Sequence, residues 1–187
     1  MERTPVQKLA RVLRVMVIVV FGCNILALPV APSMVYWYAN QTELEYRLTI
    51  GNIGNSLPGL WLYGLSRVWK NSSYTFMLAL FLVVCGICTA VILWQGKRVL
   101  DTVLKGDPFV MGNAGNMKTA AVCCFAISGM ALVRLVWGLA DYRDISPLLS
   151  YNALFVPVFL MAGLLCMVMS ALFRQAAELK AENDLTI

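Results

Sequence analysis

The sequence predicts an all-α fold: a polytopic membrane protein with four transmembrane helices and a small extracytoplasmic loop that combines a strand with an amphipathic helix. Composition is the first reason, because 60% of the 187 residues are hydrophobic and only 13% are charged, against about 25% charged in soluble domains. The second reason is that the apolar residues collect in four long runs. The third is that basic residues flank these runs, where anionic lipid attracts them.

Each run is long enough to cross a bilayer as a helix. A hydrocarbon core of about 30 Å needs about 20 mostly apolar residues, and backbone polar groups within it must bond inside their own segment. We therefore predict a single membrane domain over residues 1–187, with spans at about 12–32, 74–94, 119–140 and 154–173. The loops then cover 33–73 and 95–118, and a tail covers 174–187. A cleaved signal peptide is the alternative interpretation of the first run.

The positions of lysine and arginine predict the orientation. Ten of them lie in the N-terminal segment, the 95–118 loop and the C-terminal tail, whereas four lie in the two loops on the other side. Cytoplasmic segments carry the excess of positive charge, so both ends of the chain should be cytoplasmic. An even number of spans requires the same result, because it returns the chain to the side where it began.

The first outer loop contains two periodic segments. Residues 43–50 alternate between apolar and polar side chains, which predicts a half-buried strand. Apolar residues from Leu60 to Trp69 recur at helical spacing, with Arg67 and Lys70 off the stripe. This pattern predicts an amphipathic helix on the membrane surface, and a lid that captures a ligand is the alternative.

The predicted cytoplasmic loop has clear helix boundaries. Helical spacing continues beyond the second apolar run to about residue 104. Gly106 suits the end of this helix, and Pro108 prevents its continuation. Asn113 or Asn116 can then cap the third span.

The distinctive residues cluster on the predicted cytoplasmic face. The fourth helix should start at Ser146-Pro147 and extend beyond the membrane through about residue 182, beside the 95–118 loop. The candidate docking residues are Gly106, Asp107, Pro108, Phe109 and Asn113 in the loop, and Glu182, Asn183 and Asp184 in the tail. The alternative is a purely structural loop, a helix stop and cap with Phe109 tucked under the helices.

Arg134 is the one charged residue well inside a predicted span. Intramembrane charges are costly and are functional candidates by default. Asp141 lies seven residues further along the same helix face, so the two residues form a candidate intramembrane polar site. The structural alternative is that Arg134 extends toward Asp141 or Asp144 at the outer end of the helix.

The six cysteines all lie in predicted spans, and the chain contains no histidine. We therefore expect no metal site and no cofactor, because the usual imidazole ligand is missing and the loops hold no thiol. Cys85 and Cys88 have the C-x-x-C spacing of thiol redox centres. Thiols buried in lipid behave as small apolar groups that pack between helices, and Cys123 and Cys124 should point to different helix faces.

The loop segment Lys105–Phe109, with Asn113 and Asn116 before the next span, resembles a bacterial four-span membrane family known as domain of unknown function 2975. The C-terminal run Phe173–Ile187 is similar to that family's ending. The resemblance implies a protein of the bacterial cytoplasmic membrane without an established activity, often encoded beside a small helix-turn-helix regulator. It assigns no catalytic residue.

These observations predict a non-enzymatic membrane partner or sensor that works with a cytoplasmic regulator. The partner candidates are the lipid bilayer, a co-encoded helix-turn-helix regulator, another membrane protein and a second copy of the chain, without direct contact to nucleic acid. The first alternative is a small transporter or export accessory that uses Arg134 and the outer loop. The remote alternative is a membrane thiol oxidoreductase that uses Cys85 and Cys88.

Overall fold

The computed structural model describes residues 5–40, 57–71, 73–142, 145–149 and 151–184. Six α-helices lie in these ranges: α1 (Pro5–Ala27), α2 (Ala31–Asn40), α3 (Leu57–Asn71), α4 (Ser73–Leu104), α5 (Met111–Tyr142) and α6 (Tyr151–Asp184). A short 3₁₀ helix, Ser146–Leu149, precedes α6. The described ranges contain no strand, which confirms the all-α class, and the strand predicted at residues 43–50 lies outside them.

Four helical segments are long and apolar enough to cross a membrane: Gln7–Ala27, Ser73–Leu104, Met111–Asp141 and Ala153–Asp184. The protein is therefore a multi-pass membrane protein. The helices α4, α5 and α6 contain 32, 32 and 34 residues, so each is about 50 Å long at about 1.5 Å per residue. Because the hydrocarbon core is only about 30 Å thick, each of these helices continues into the polar region.

The first predicted span is interrupted before its outer end. The helix α1 ends at Ala27, the chain turns, and α2 begins at Ala31. Pro29 cannot donate a hydrogen bond and disfavours helical geometry in the residue before it, whereas Pro32 suits the first turn of a new helix. The N–H of Val30 instead bonds to the Ala27 carbonyl at 3.1 Å. The predicted span therefore consists of two helices, and the start predicted for the outer loop falls inside α2.

The long helices pack in chain order. The helix α1 contacts α4, α4 contacts α5, and α5 contacts α6 most extensively, whereas no comparable contact joins α1 to α6 among the described residues. The helices α4 and α6 also meet, because the rings of Phe81 and Phe155 lie with their centroids 6.0 Å apart. The four long helices therefore do not lie in a single plane. The two outer helices, α1 and α6, consequently expose most of their apolar side chains, and in a membrane protein this is the surface that lipid covers.

Small residues and hydroxyls form the seam between α5 and α6. A Cβ atom added at Gly163 would lie 2.6 Å from the ring of Phe125, so the absence of a side chain allows the two helices to approach. Nearer the other end of the seam, Ser170 donates a hydrogen bond to the Ala114 carbonyl at 2.8 Å. A hydroxyl inside the membrane needs a protein partner of this kind, because lipid chains offer none.

The helices α2 and α3 pack against each other and against the first half of α4. Val35, Val68 and Ala79, one from each helix, form a small buried core. Gly64 lies at the closest approach, since a Cβ atom there would be 2.6 Å from the backbone nitrogen of Ser33. The opposite face of α3 exposes Leu62, Leu65 and Trp69. The stripe predicted to form a helix does so, but Gly64 and Val68 of that stripe contact protein rather than a membrane surface.

The last long helix begins later than predicted. Ser146 and Pro147 open the 3₁₀ helix, and α6 starts at Tyr151. The side chain of Pro147 lies 3.6 Å from the position of a Cβ atom at Gly138, so this segment folds back along α5. The helix α6 then continues to Asp184, which confirms the helical extension predicted through residue 182.

Candidate functional site

One end of the molecule collects the start of α1, the turn at residues 105–110 and the end of α6. Arg14 of α1 lies 2.7 Å from the carboxylate of Asp101 on α4. Lys180 of α6 lies 2.8 Å from the carboxylate of Asp107 in the turn. Nine of the twelve described lysine and arginine residues lie in these parts of the chain, in the end of α4 or in the start of α5, so we call this end the basic end.

The turn after α4 is a Schellman motif, the helix ending that the sequence predicts. Gly106 has a φ of 82°, a left-handed conformation that glycine adopts without steric cost. Its N–H bonds to the Val103 carbonyl at 3.1 Å, and the N–H of Asp107 bonds to the Thr102 carbonyl at 3.1 Å. These two bonds satisfy carbonyls that a helix end otherwise leaves unpaired. Gly106 and Asp107 therefore have structural roles in this turn.

Asn113 fastens the turn to α4. Its side chain is 0% exposed, and Nδ2 donates hydrogen bonds of 2.7 Å to Thr102 Oγ1 and to the Pro108 carbonyl. The Thr102 hydroxyl in turn donates a hydrogen bond of 2.7 Å to the Val99 carbonyl. The Oδ1 atom is buried and has no hydrogen-bond partner in the described part of the chain. Asn113 is therefore neither a cap of α5 nor an exposed docking residue, because its amide spans the gap between two backbone elements.

Ion pairs join the turn to α6 and α1 to α4. Lys180 donates a hydrogen bond of 2.8 Å to Asp107, although 73 residues separate them in the chain. Asp101 faces two cations, Arg14 at 2.7 Å and Lys97 at 3.7 Å. Partly exposed ion pairs contribute only about 0–1 kcal/mol each. These contacts therefore fix the geometry of the basic end more than they stabilise the fold.

Pro108 is half-buried and accepts a hydrogen bond from Asn113, whereas the other four docking candidates are exposed at the basic end. Phe109 is 48% exposed, so the alternative in which it lies under the helices is wrong. Met111, which the sequence analysis did not single out, is 54% exposed beside it. Glu182, Asn183 and Asp184 form the exposed last turn of α6. The structure thus separates the candidates into a structural group and an exposed group.

Arg134 and Asp141 do not form the polar site expected of them. The guanidinium carbon of Arg134 lies 4.9 Å above the ring centre of Phe81, a cation–π contact across the α4–α5 seam. Asp141 is exposed near the end of α5, and none of the ion pairs between described residues joins it to Arg134. Asp144, the other predicted partner, lies outside the described residues.

All six cysteines are free thiols, and all except the exposed Cys23 are buried or half-buried. Cys88 of α4 lies close to Cys123 of α5, and Cys124 of α5 lies close to Cys166 of α6. The expectation that Cys123 and Cys124 point to different faces is therefore correct. Since the near neighbour of Cys88 across the seam is Cys123, the C-x-x-C spacing does not define the contacts of these thiols.

Two residues that the sequence analysis missed, Thr102 and Lys180, hold the basic end together. Thr102 accepts the hydrogen bond from Asn113, and no local pattern marks a threonine in the last turn of an apolar helix for this role. Lys180 was counted only as a cation that sets orientation. Its pairing with Asp107 depends on how α6 packs against α5, which spacing along the chain does not show.

Comparison with known proteins identifies the family. Residues 60–187 match the family described as protein of unknown function, DUF2975. The chain belongs to this family. The part that DUF2975 covers includes the Schellman turn, Asn113, Arg134 and the whole of α6. No curated protein matches the chain, and neither does any solved structure.

The region that matches DUF2975 includes the turn and the end of α6, but not the part of the basic end that α1 supplies. The resemblance predicted from Lys105–Phe109 and from the C-terminal run is thus confirmed, because both segments fall within residues 60–187. The helices α1 and α2 lie before that region. DUF2975 carries no assigned activity, so the function has to be argued from the surface itself.

Proposed function

We propose that this DUF2975 protein is a non-enzymatic partner or sensor in the bacterial cytoplasmic membrane, and that its basic end faces the cytoplasm and binds a regulator there. The charge distribution supports this orientation, because positively charged segments remain on the cytoplasmic side. The start of α1 and the end of α6 both lie at the basic end, as an even number of spans requires.

The observation that carries the proposal is a fixed, exposed surface at the basic end. The contact between Lys180 and Asp107 joins the turn to α6, and Asn113 joins the turn to α4. On this framework the exposed residues are Phe109, Met111, Glu182, Asn183 and Asp184, which we call the docking surface. Exposed large apolar residues with a polar rim are typical of sites that bind proteins.

The chemistry of the docking surface suits a basic protein. Glu182 and Asp184 supply negative charge, while Phe109 and Met111 supply apolar contact area. A regulator that binds DNA carries a basic surface, and the family resemblance implies a small helix-turn-helix regulator encoded nearby. Binding at the membrane would then change the amount of regulator that is free to bind DNA.

The proposal is tested with the protein in lipid nanodiscs and the purified helix-turn-helix regulator encoded beside its gene. The paired substitutions Phe109→Ser and Met111→Ser should raise the Kd at least about 10-fold, because removing central apolar anchors costs about 2 kcal/mol or more. The pair Glu182→Lys and Asp184→Lys should lower the association rate and its dependence on salt, since these charges lie at the rim. Biolayer interferometry at two salt concentrations measures both effects.

Asp141→Lys provides the matched control, because Asp141 is an exposed acidic residue at the opposite end of α5. This variant should bind the regulator with the wild-type Kd. The proposal is contradicted if the wild-type protein does not bind the regulator, or if the two docking variants bind it as tightly as the wild type does.

A further inference from the structure

One face of α4 changes from apolar to cationic as it reaches the basic end. Leu80, Ile87 and Trp94 follow one another at intervals of seven residues, and all three are exposed. Arg98 lies one turn beyond Trp94 and Lys105 two turns beyond Arg98, and both are also exposed. Residues four and seven apart share a helix face, so the lipid-facing stripe of α4 ends in two cations.

Among the described residues, these two cations have no acidic counterpart. On the neighbouring face of α4, Asp101 forms ion pairs with Arg14 and Lys97, at 2.7 Å and 3.7 Å. Within the ranges that the structure describes, neither Arg98 nor Lys105 forms an ion pair. The positive charge on this face is therefore left for a ligand outside the chain.

The exposed residues of α1 indicate how deep Trp94 and Arg98 lie in the membrane. Val12 and Leu13 of α1 are 58% and 47% exposed, and the next residue, Arg14, contacts Asp101. Lipid therefore reaches the level of Asp101. Arg98 lies three residues closer to the centre of the membrane, about 4.5 Å along the helix. Trp94 is 43% exposed, and its ring lies beside that of Phe21 and 4.9 Å from the Lys97 ammonium. Aromatic residues are typical of the membrane interface.

We propose that Trp94, Arg98 and Lys105 bind the headgroup of an anionic phospholipid. A guanidinium forms paired hydrogen bonds with a phosphate, and an ammonium adds a second positive charge. A zwitterionic headgroup has no net charge to satisfy the two cations, so this face selects phosphatidylglycerol over phosphatidylcholine. The apolar stripe from Leu80 to Trp94 makes the occupant a lipid rather than a protein, because the acyl chains of the same molecule continue along it. This inference goes beyond the docking of a regulator and does not depend on it.

Native mass spectrometry of the protein in a neutral detergent tests this proposal. Titration with phosphatidylglycerol or phosphatidylcholine gives a dissociation constant for the first bound lipid. The wild type should prefer phosphatidylglycerol, and the double substitution Arg98→Gln and Lys105→Gln should reduce this preference about 25-fold. A cation near an anionic surface contributes about 1 kcal/mol, which is about fivefold in affinity for each charge removed.

Lys118→Gln is the matched control, because Lys118 is an exposed cation of the basic end on a different helix, α5. It should change the preference less than twofold. Glutamine is a good helix former, so both variants should retain the wild-type circular dichroism and Tm. Equal preference in the wild type and the double variant overturns the proposal, as does an equal loss in the control. Binding of water-soluble glycerol phosphate as tight as that of phosphatidylglycerol also overturns it, because the site would then recognise free phosphate.

Discussion

Gly64→Val should lower the free energy of unfolding by about 3 kcal/mol, the upper end of what overpacking costs. A Cβ atom at Gly64 would lie 2.6 Å from the backbone nitrogen of Ser33 and 3.0 Å from its Cα atom. A backbone atom cannot move aside as a side chain does, so α2 and α3 would have to separate. Separation would open the contact of Val68, which is 1% exposed, with Val35. For a chain of this size the change corresponds to a Tm lower by about 6–12 °C.

Gly129→Val provides the matched control for this prediction. No atom lies within 4 Å of the position of a Cβ atom at Gly129, so the same chemical change meets no obstacle there. The two variants should be compared by thermal unfolding in the same detergent, with the circular dichroism signal as the readout. A Gly64→Val variant as stable as the Gly129→Val variant would show that α2 and α3 do not pack at this position.

Asn113→Leu should lower the free energy of unfolding by about 2 kcal/mol, or about 4–8 °C in Tm. Leucine has nearly the same shape, but it cannot donate the two bonds of 2.7 Å to Thr102 Oγ1 and the Pro108 carbonyl. Each such bond contributes about 1 kcal/mol, and acceptors left buried without a donor cost more. Leucine also removes Oδ1, a buried acceptor without a hydrogen-bond partner among the described residues, and this gain offsets part of the loss in stability.

Asn116→Leu is the control, since Asn116 lies one turn further along α5 and is only half-buried. No side-chain hydrogen bond involving Asn116 occurs among the described residues, so its replacement should change the Tm by less than about 2 °C. The Asn113→Asp substitution provides a second check, because it retains the shape and places a carboxylate oxygen where the donor was. The argument fails if Asn113→Leu and Asn113→Asp both melt at the wild-type temperature.

Local patterns in the sequence predict the elements that depend on local physics. Run length and hydropathy locate the four spanning helices, because a lipid environment requires each run to satisfy its own backbone. Gly106 and Pro108 mark the end of α4, because a left-handed residue and a missing N–H act within one turn. The break between α1 and α2 was not predicted, although Pro29 is a local signal for it.

The partners of the polar residues could not be predicted in the same way. Asn113 was interpreted as a helix cap because it precedes a span, whereas its burial results from the position of Thr102 on another helix. Arg134 was expected to extend toward Asp141 or Asp144 at the outer end of the helix; its cation–π contact with Phe81 of the adjacent helix was not expected, and Asp144 lies outside the described residues. Such contacts are set by how the helices pack against one another. Spacing within a single helix carries no information about that.

The docking candidates also show which properties can be predicted from the sequence and which depend on the packing of the helices. Sequence clustering drew attention to the loop and the tail, and the structure confirms that they lie together through Lys180 and Asp107. Clustering along the sequence could not separate the residues that build the turn from the residues that face outward. That distinction requires burial, which assigns Asn113 to the first group and Phe109 to the second.

Labelling of introduced cysteines in spheroplasts tests most directly that the basic end faces the cytoplasm. A membrane-impermeant maleimide is applied to the Lys105→Cys and Asp141→Cys variants before and after lysis, with the wild type measuring the background from the six native thiols. Both positions are exposed, and they lie at opposite ends of the long helices along the membrane normal. We expect the Asp141→Cys variant to be labelled in intact spheroplasts and the Lys105→Cys variant only after lysis. Labelling of the Lys105→Cys variant in intact spheroplasts would contradict the orientation, and with it a cytoplasmic docking surface.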